Sequence, residues 1–399
     1  MQAIILGAGV AGISTAIALK QKGVDVEIYE RFDEASTIGA GIVIWPNAAF
    51  ILDQLGVLKS IKAVAGRPLF MHRLSNEGEK LGSIDISLIN QFMAYPSLSI
   101  LRRDLQSILT EKLESLGIKV RYGHVLKQIS TTAEGSTIAH FENGVKVHAD
   151  VLIGADGRMA SVARQFILGD NKPLFQRFIN WIGVFESKEK YFEDNAILDY
   201  WGVGKRFGIV PINQNKAYWA GGICAQKIEH KNPALYKEEL STHFSDWPVQ
   251  VRQLIEDVPS KNINKIYVHD HDPTTVWHKY NLIMIGDAAH APLPTSGQGA
   301  CQALEDAWHL TNCLLENTDD LQAAFHKFTK IRYQKTSSII QAARGLATSL
   351  FNNDVSYCQA RNENSKQTDF SAVAEGMSSL WAQHLPLKGE NSYAQNVDS

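Results

Sequence analysis

The sequence predicts an α/β protein in which a Rossmann-like unit is interrupted by an inserted antiparallel β-sheet and followed by C-terminal helices. Three observations support this class. A glycine-rich turn between a strand and a helix lies near the N-terminus. Apolar and polar residues alternate with the two-residue period of strands over about residues 173–264, and apolar residues recur with helical spacing from Leu321 onward. A chain of 399 residues has room for two such units, because single cores rarely grow beyond about 250–300 residues.

The N-terminal turn has the sequence Gly7-Ala8-Gly9-Val10-Ala11-Gly12. It follows an apolar run typical of a buried strand and precedes a segment with helical spacing. Gly7 permits a tight turn, Gly9 lets backbone N–H groups approach a pyrophosphate, and Gly12 lets helix and strand pack closely. The second strand ends at Glu30, where an acidic side chain accepts hydrogen bonds from a ribose 2′-OH. This turn therefore predicts a dinucleotide site.

Further glycines follow other predicted elements. Gly39-Ala40-Gly41-Ile42 forms a second glycine turn, and Asp156-Gly157 comes after an apolar strand. Gly286-Asp287 follows another apolar run, and Gly297-Gln298-Gly299 begins a long helix. The predicted division of the chain is a dinucleotide unit of residues 1–75, 98–172 and 265–345, a sheet unit of 76–97 and 173–264, a helical region of 346–388, and a disordered polar tail of 389–399.

The composition favours a cytoplasmic enzyme. A net charge of −3 gives no reason to expect nucleic acid or an anionic membrane as a partner. The four cysteines are too few and too scattered for a disulfide framework or a zinc site. The N-terminus lacks the basic region of a signal peptide, and no apolar run has the roughly 18 residues that a membrane span needs. A monomer or a homodimer is expected.

Four motifs in this order resemble those of the single-component flavin-dependent monooxygenases of the para-hydroxybenzoate hydroxylase and salicylate hydroxylase family. They are the N-terminal turn with Glu30, Arg102-Arg103-Asp104-Leu105, Gly154-Ala155-Asp156-Gly157, and Gly286-Asp287 continued by Gly297-Gln298-Gly299 and Glu305-Asp306. The resemblance covers about residues 1–345, and the last motif is most similar to the salicylate hydroxylase, zeaxanthin epoxidase and urate hydroxylase branch. In one departure from the family, three residues instead of two separate Asp156-Gly157 from Ser161.

This resemblance implies a bound FAD, transient reduction by NADH or NADPH, and addition of O2 at flavin C4a. One oxygen atom then goes to an aromatic or heteroaromatic small molecule. The residues expected to contact FAD are Gly7, Gly9, Ala11, Gly12, Glu30, Arg31, Gly41, Arg102, Val125, Asp156, Gly286, Asp287, Pro294, Gly297, Gln298, Gly299 and Ala300. Asp287 is expected at the ribityl chain, and Arg102 near the pyrophosphate, where a guanidinium suits phosphate oxygens.

The Pro294–Gly299 segment is expected at the isoalloxazine ring, where a helix N-terminus stabilises anionic reduced flavin. His290 is expected to pack the turn rather than to act in catalysis. Arg206, Pro294 and Gly297 are the candidates for a direct part in catalysis. Arg206 resembles the arginine that meets the substrate in urate hydroxylase, but related enzymes with other substrates also carry a basic residue there, so a structural role for Arg206 stays open. The candidate substrate residues of the inserted sheet are Asn180, Arg206, Tyr218 and Trp219, of which the last two should point to opposite faces.

Other functions remain open at this stage. A tetracycline-inactivating or epoxidising member of the same family would differ only in its substrate unit, and a noncatalytic FAD-binding protein would lack space for a substrate. A flavin-dependent halogenase is disfavoured because the Trp-x-Trp-x-Ile-Pro signature is absent from the sequence. A disulfide reductase with two dinucleotide sites is also disfavoured, since neither a second glycine motif of that type nor a Cys-x-x-Cys pair is present.

Overall fold

The computed structural model describes residues 1–34, 40–133, 135–193 and 195–387. Gly39 of the expected second turn and the expected tail of 389–399 lie outside these residues. The strands are β1 (Gln2–Leu6), β2 (Asp25–Tyr29), β3 (Gly41–Ile44), β4 (Phe70–Ser75), β5 (Lys80–Asp85), β6 (Leu98–Leu101), β7 (Val120–Arg121), β8 (Leu126–Thr131), β9 (Thr137–Phe141), β10 (Lys146–Val147), β11 (Val151–Gly154), β12 (Leu174–Glu186), β13 (Ala196–Trp201), β14 (Lys205–Asn213), β15 (Lys216–Cys224), β16 (Asn264–Asp270), β17 (His278–Lys279) and β18 (Leu282–Met284). The helices are α1 (Val10–Gln21), α2 (Pro46–Gln54), α3 (Leu58–Val64), α4 (Ile86–Met93), α5 (Arg102–Ser115), α6 (Val162–Leu168), α7 (Tyr236–His243), α8 (Val249–Asp257), α9 (Gly299–Glu316), α10 (Leu321–Leu350), α11 (Val355–Lys366) and α12 (Phe370–Ala382).

A mainly parallel sheet of order β17-β18-β11-β1-β2-β7 forms the first layer. Its register places Leu6 beside Gly154, and Gly154 beside Met284. The three loops that follow β1, β11 and β18 therefore leave the sheet at one carboxyl edge. In open α/β sheets this edge is where ligands bind. Loops that are hundreds of residues apart in sequence thus form a single cluster at this edge. A separate three-stranded antiparallel sheet, β10-β9-β8, packs against the first sheet, where Phe141 stacks on Tyr29.

The second layer is a seven-stranded sheet of order β16-β12-β15-β14-β13-β4-β5. Its outer face packs against α7 and α8 in a cluster that includes Trp181, Phe207 and Trp219. Its inner face meets the dinucleotide unit and the C-terminal helices. Because alternate residues of a strand point to opposite faces, the paired residues fix which side chains share the inner face.

Two expected boundaries differ from the structure. Residues 70–75 form β4, which pairs with β13 and β5 in the inserted sheet instead of belonging to the first unit. Residues 264–270 form β16, which pairs with β12 at the opposite end of that sheet. Both strands are joined to the sheet by pairing with distant partners, so local sequence patterns do not reveal where they belong. The expected break at 345 falls inside α10, which is continuous.

The C-terminal helices pack against both units. α12 contacts α4 and β5, and the ring of Trp381 on α12 lies 4.8 Å from that of Trp45, just before α2. Within the described residues no helix is long and apolar enough to cross a membrane.

Candidate active site

The turn between β1 and α1 is closed by contacts that only glycine permits. A Cβ on Gly12 would lie 1.9 Å from the carbonyl oxygen of Gly7, and a Cβ on Gly7 would lie 2.3 Å from that of Ala155. Gly9 has open space where its Cβ would point, and it begins α1 without a side-chain cap. The first N–H groups of α1 are therefore available to an anion that approaches over Gly9.

Glu30 lies beside this turn. Its carboxylate accepts hydrogen bonds from the backbone N–H of Ala8 at 2.7 Å and of Phe32 at 3.1 Å. The neighbouring Arg31 is exposed, and its guanidinium lies 5.0 Å from the centre of the Phe32 ring. The acidic group thus stands at the carboxyl end of β2, next to the glycine turn.

Asp156 organises the loop after β11. Its carboxylate accepts hydrogen bonds from the Ser161 hydroxyl at 2.6 Å and the Ala163 N–H at 3.1 Å, and burial raises its pKa. Ser161 caps α6 through the N–H of Arg164, whose guanidinium donates to the carbonyls of Ala288 and Ala289. Despite the additional residue in this motif, these side chains join the second loop to the third.

The third loop begins with Gly286 and Asp287. Gly286 has a φ of +58°, and its N–H donates to Asp306 at 2.7 Å. A Cβ on Gly286 would lie 2.8 Å from the Cβ of Ala11 in α1, so this glycine lets the first and third loops touch. The Asp287 carboxylate pairs with Arg158 at 2.9 Å, and both side chains are partly exposed. The sequence did not single out Arg158, although it lies in the motif that carries the extra residue.

The segment at Gly297 turns sharply into α9. Pro294–Ser296 form one turn of 3-10 helix, and Gly297 has a φ of +62°. Its carbonyl accepts a hydrogen bond from the Trp45 indole at 3.1 Å. Gln298 begins α9 without capping it through its side chain, and the nearest atom to a Cβ on Gly299 would be 4.0 Å away. The N-terminus of α9 is therefore open at Gly299, and Ala300 lies in the first turn of this helix.

A buried network of charges supports this segment. Glu305 accepts hydrogen bonds from Asn47 at 2.7 Å, from Lys335 at 2.8 Å and from Arg332. Lys335 also donates to the carbonyls of Trp381 at 2.6 Å and Gln383 at 3.1 Å, which ties the end of α12 to α9.

The neighbouring Asp306 accepts hydrogen bonds from Arg332 at 2.8 Å and from His290 at 2.6 Å. The cations Lys335 and Arg332 therefore face two carboxylates, those of Glu305 and Asp306. Burial alone would raise the pKa of Glu305, but the charges of Lys335 and Arg332 hold it below its usual value. His290 is buried in this pair with Asp306, in keeping with a packing role. The sequence motif indicated Glu305-Asp306, whereas Arg332 and Lys335 carried no signal beyond the charges of an amphipathic helix.

Pairing defines a trough on the inner face of the seven-stranded sheet. One cross-strand row runs Arg73, Asp199, Gly208, Ala220, and the next runs Trp201, Arg206, Gly222, Asn180. Gly208 has open space where its Cβ would point and forms the floor with Ala220, whereas the Phe351 ring and the Asn180 side chain cover Gly222. Tyr218 begins the following row, opposite Val210.

The trough meets the dinucleotide unit at two points. The Tyr218 ring packs so closely on the backbone of Gly41 in β3 that a Cβ on Gly41 would lie 2.0 Å from it. Phe178, at the other side of the inner face, packs in one cluster with Leu293, which immediately precedes Pro294. Burial raises the pKa of Tyr218 above its usual value, so the hydroxyl stays protonated.

The expected substrate residues divide between the two faces. Asn180, Arg206 and Tyr218 lie on the inner face, but Trp219 lies on the outer face, where its ring stacks on Phe207 at 5.6 Å. Trp219 is fully buried in the outer core, so it does not reach the trough. The alternation of side chains along a strand predicted that Tyr218 and Trp219 point to opposite faces of the sheet. Which of the two points inward depends on which face the dinucleotide unit covers, and the sequence does not show this.

Two expected cofactor residues stand at the edge of the loop cluster. Arg102 begins α5 with an exposed side chain, and its backbone N–H lies 3.4 Å from the carbonyl of Ala40. Val125 is 37% exposed just before β8, and its carbonyl accepts a hydrogen bond from Glu142. Val125 lies beside the segment that carries Glu30, since the N–H of His124 donates to the Glu30 carbonyl.

The residues at this edge fit a flavin dinucleotide. Space is open over Gly9 and Gly299 at the starts of two helices, as phosphate and an anionic ring require. Gln298 Nε2 and Asn47 Oδ1 are buried without a hydrogen-bond partner among the described residues. Buried polar atoms of this kind generally have partners, so both suit the polar edge of a ligand. A parallel sheet with this loop cluster, covered by a second sheet that carries a trough, defines a flavin-dependent monooxygenase.

Comparison with known proteins gives the same class. The FAD binding domain family model matches residues 1–322, and the chain belongs to this family. The FAD-dependent urate hydroxylase of Mycolicibacterium vanbaalenii is 29% identical over 350 residues, which cover 86% of this chain and 87% of the relative. Aurachin C monooxygenase/isomerase of Stigmatella aurantiaca is 30% identical over 340 residues, or 84% and 86% of the two chains.

Solved structures agree with these relatives. The crystal structure of Klebsiella pneumoniae HpxO complexed with FAD and uric acid superposes with a TM-score of 0.87 at 26% identity, covering 96% of this chain and 97% of that one. The fold class, the family and the enzyme class expected from the motifs are thereby confirmed.

Proposed function

We propose that the protein uses NADH or NADPH and O2 to hydroxylate an aromatic or heteroaromatic small molecule that lies in the trough. The observation that carries this proposal is that the inner face of the sheet meets the dinucleotide unit at two points, where Tyr218 packs on Gly41 and Phe178 shares a hydrophobic cluster with Leu293. A substrate ring on the floor at Gly208 would lie between those contacts. Hydroxylated or carboxylated heterocycles and benzoates are the substrates named for relatives, which include a 6-hydroxynicotinate 3-monooxygenase from Pseudomonas fluorescens.

The glycine turn and the loop cluster would hold FAD. The N–H groups at the start of α1 would meet the pyrophosphate over Gly9, and Glu30 would meet the adenosine ribose. Asp287, turned toward Arg158, would meet the ribityl chain. When bound, FAD accepts electrons from the nicotinamide and activates dioxygen, chemistry that no side chain provides.

The segment from Pro294 to Ala300 would hold the reactive ring. The open N-terminus of α9 carries partial positive charge and favours a negative charge on the ring edge nearest to it. The unpaired amide of Gln298 provides a further donor at the same place. Tyr218 and Phe178, at the two junctions of the units, would exclude water, which otherwise diverts reducing power into hydrogen peroxide.

The test is NAD(P)H oxidation in air by the FAD-loaded protein, with and without phenols, salicylates, hydroxyquinolines, hydroxynicotinates and purines. Hydrogen peroxide is measured alongside product. We expect at least one compound to accelerate oxidation severalfold while less peroxide forms per NAD(P)H consumed. Equal oxidation rates with every compound, at full FAD content, would argue for a noncatalytic flavoprotein. The enzyme is expected to act in the cytoplasm as a monomer or a homodimer.

A further inference from the structure

The open part of the trough is short along the strands. Ile182, Ala220 and Gly208 are partly exposed on the inner face, and they pair with one another across β12, β15 and β14. In one direction along β15, the next inward residue is Tyr218, which packs against the dinucleotide unit. In the other direction the next inward residue is Gly222, which is buried. The floor therefore has a covered row on each side.

The Phe351 ring covers the row at Gly222. Two carbons of this ring would lie 2.9 Å and 3.0 Å from a Cβ on Gly222, so the glycine leaves room for the ring. The same ring stacks on Phe178, with 4.2 Å between the ring centroids and 16° between the planes. Stacked aromatic pairs favour a defined geometry. Phe351 therefore fills the inner face of the sheet just beyond Ala220.

The backbone that carries Phe351 is attached to the inserted sheet. Phe351 follows the last turn of α10, and its N–H donates to the carbonyl of Ala347 at 3.0 Å. The carbonyl of Asn352 accepts a hydrogen bond at 2.7 Å from the N–H of Gly204, which lies in the hairpin turn between β13 and β14. A Cβ on Gly204 would lie 2.0 Å from the side-chain oxygen of Asn353. The ring therefore cannot leave the trough without breaking these contacts.

A cavity of about 460 Å³ lies on the other side of Phe351. Cys224, the next inward residue of β15 after Gly222, lines this cavity together with Arg177 and Thr348. A volume of this size is within the range of small-molecule pockets. Because Phe351 contacts Gly222 and also lines the cavity, its ring is the partition between the floor of the trough and this second space.

The spacing of the two covered rows fits one aromatic ring. Tyr218 and Gly222 are four residues apart on β15, or about 13 Å in an extended strand. Aromatic rings in contact have centroids about 4.5–7 Å apart, so one ring between Tyr218 and Phe351 needs about 9–14 Å. A second ring linked in line would raise this requirement to about 14–21 Å. A substrate extended along β15 by a second ring therefore collides with Phe351.

We propose that Phe351 sets the size of the substrate: it confines the aromatic ring to the floor at Gly208 and Ala220 and excludes analogues that carry a second, linked ring along β15. This inference rests on the proposed function, because it assumes that the substrate ring lies in the trough. Replacement of Phe351 by a small side chain joins the floor and the cavity at Cys224 into one longer site.

The test is equilibrium binding to the FAD-loaded protein, measured by calorimetry with compact probes and their phenyl derivatives. The probes are salicylate with its 4-phenyl and 5-phenyl derivatives, 4-hydroxybenzoate with its 2-phenyl and 3-phenyl derivatives, and 6-hydroxynicotinate with its 2-phenyl and 5-phenyl derivatives. We expect the wild type to bind at least one compact probe about tenfold more tightly than either of its derivatives. Phe351→Ala should bind at least one derivative about tenfold more tightly than the wild type does, because the added ring is then buried.

Three results would overturn the proposal. The first is a wild type that binds the phenyl derivatives as tightly as the compact probes. The second is a wild type that binds none of the compact probes, and the third is a Phe351→Ala protein that gains no affinity for any derivative.

Two further variants separate substrate size from damage to the fold. Phe351→Leu removes part of the ring and should give an intermediate gain, which tests the inference even where Phe351→Ala is unstable. Phe166→Ala is the matched control, because Phe166 is also partly exposed but lies on α6 beside β8 and β18, where its ring contacts Lys279. It should bind every probe as the wild type does. An unchanged preference in Phe351→Leu, or the same gain in Phe166→Ala, would contradict the inference.

Binding and turnover distinguish this inference from the proposed function. A compact probe that binds selectively but does not stimulate NAD(P)H oxidation would support the size limit and count against the monooxygenase activity. A phenyl derivative that the wild type binds and hydroxylates as well as its compact parent would support the activity and overturn the size limit.

Discussion

Gly12→Ala tests the close contact between α1 and the glycine turn. The added Cβ would lie 1.9 Å from the Gly7 carbonyl oxygen, whereas Cβ contacts below 3.0 Å essentially never occur, so the helix must move by about 1 Å. Both groups belong to the backbone, and no side chain can rotate away. Overpacking of this severity costs about 3 kcal/mol of unfolding free energy, and it also moves the N–H groups that would hold the pyrophosphate.

Gly345→Ala is the matched control. Gly345 also lies inside a helix, α10, but no atom is within 4 Å of the position that its Cβ would take. Alanine is the better helix former, so this variant should gain about 0.5–1 kcal/mol.

The assay is urea unfolding of the FAD-free and FAD-loaded proteins, followed by circular dichroism, with flavin content taken from visible absorbance. The two alanine variants should change stability in opposite directions, and only Gly12→Ala should lose flavin. Wild-type stability and full flavin content in Gly12→Ala would refute the contact argument. An equal loss of stability in Gly345→Ala would show that the effect belongs to alanine in any helix.

Three other perturbations address the third loop and the buried network. Asp287→Ala should lose FAD during gel filtration, and flavin absorbance of the eluted protein measures this loss. Full retention of FAD would show that Asp287 serves only as the ion-pair partner of Arg158. Lys335→Met should lower the unfolding free energy by about 3 kcal/mol, because Glu305 loses one of two cations and α12 loses its anchor, so hydrogen exchange in residues 370–382 should accelerate. Unchanged exchange there would contradict the anchoring role. Burial alone would raise the pKa of Asp306, but His290 and Arg332 lower it from 3.8 to about 2. The Asp306 charge therefore stabilises the fold fully above pH 3.8, and this contribution is lost as the pH falls toward 2. In Asp306→Asn the free energy of unfolding should depend less on pH over that range. A pH profile of unfolding equal to that of the wild type would exclude this assignment.

The sequence predicted those features that depend on local chemistry. Glycine turns after apolar runs marked the three loops, and their order indicated the fold. The sequence did not reveal contacts that depend on sheet pairing. Residues 70–75 were predicted to lie in the first unit, because their membership of the inserted sheet depends on pairing with β13, which is distant in sequence. Arg73, Arg158 and Lys335 look like ordinary surface charges until the fold places Asp199, Asp287 and Glu305 beside them.

The position of α12 limits how this enzyme could be re-engineered. At one end of the helix Trp381 packs on Trp45 beside the flavin segment, and at the other Phe370 lies over Gly82 in β5 and against Arg73. A chimaera that exchanged only the inserted sheet would leave this helix facing a foreign surface at one end. Grafting a new specificity onto this scaffold therefore requires β4, β5 and the C-terminal helices to be transplanted as one piece with residues 173–270.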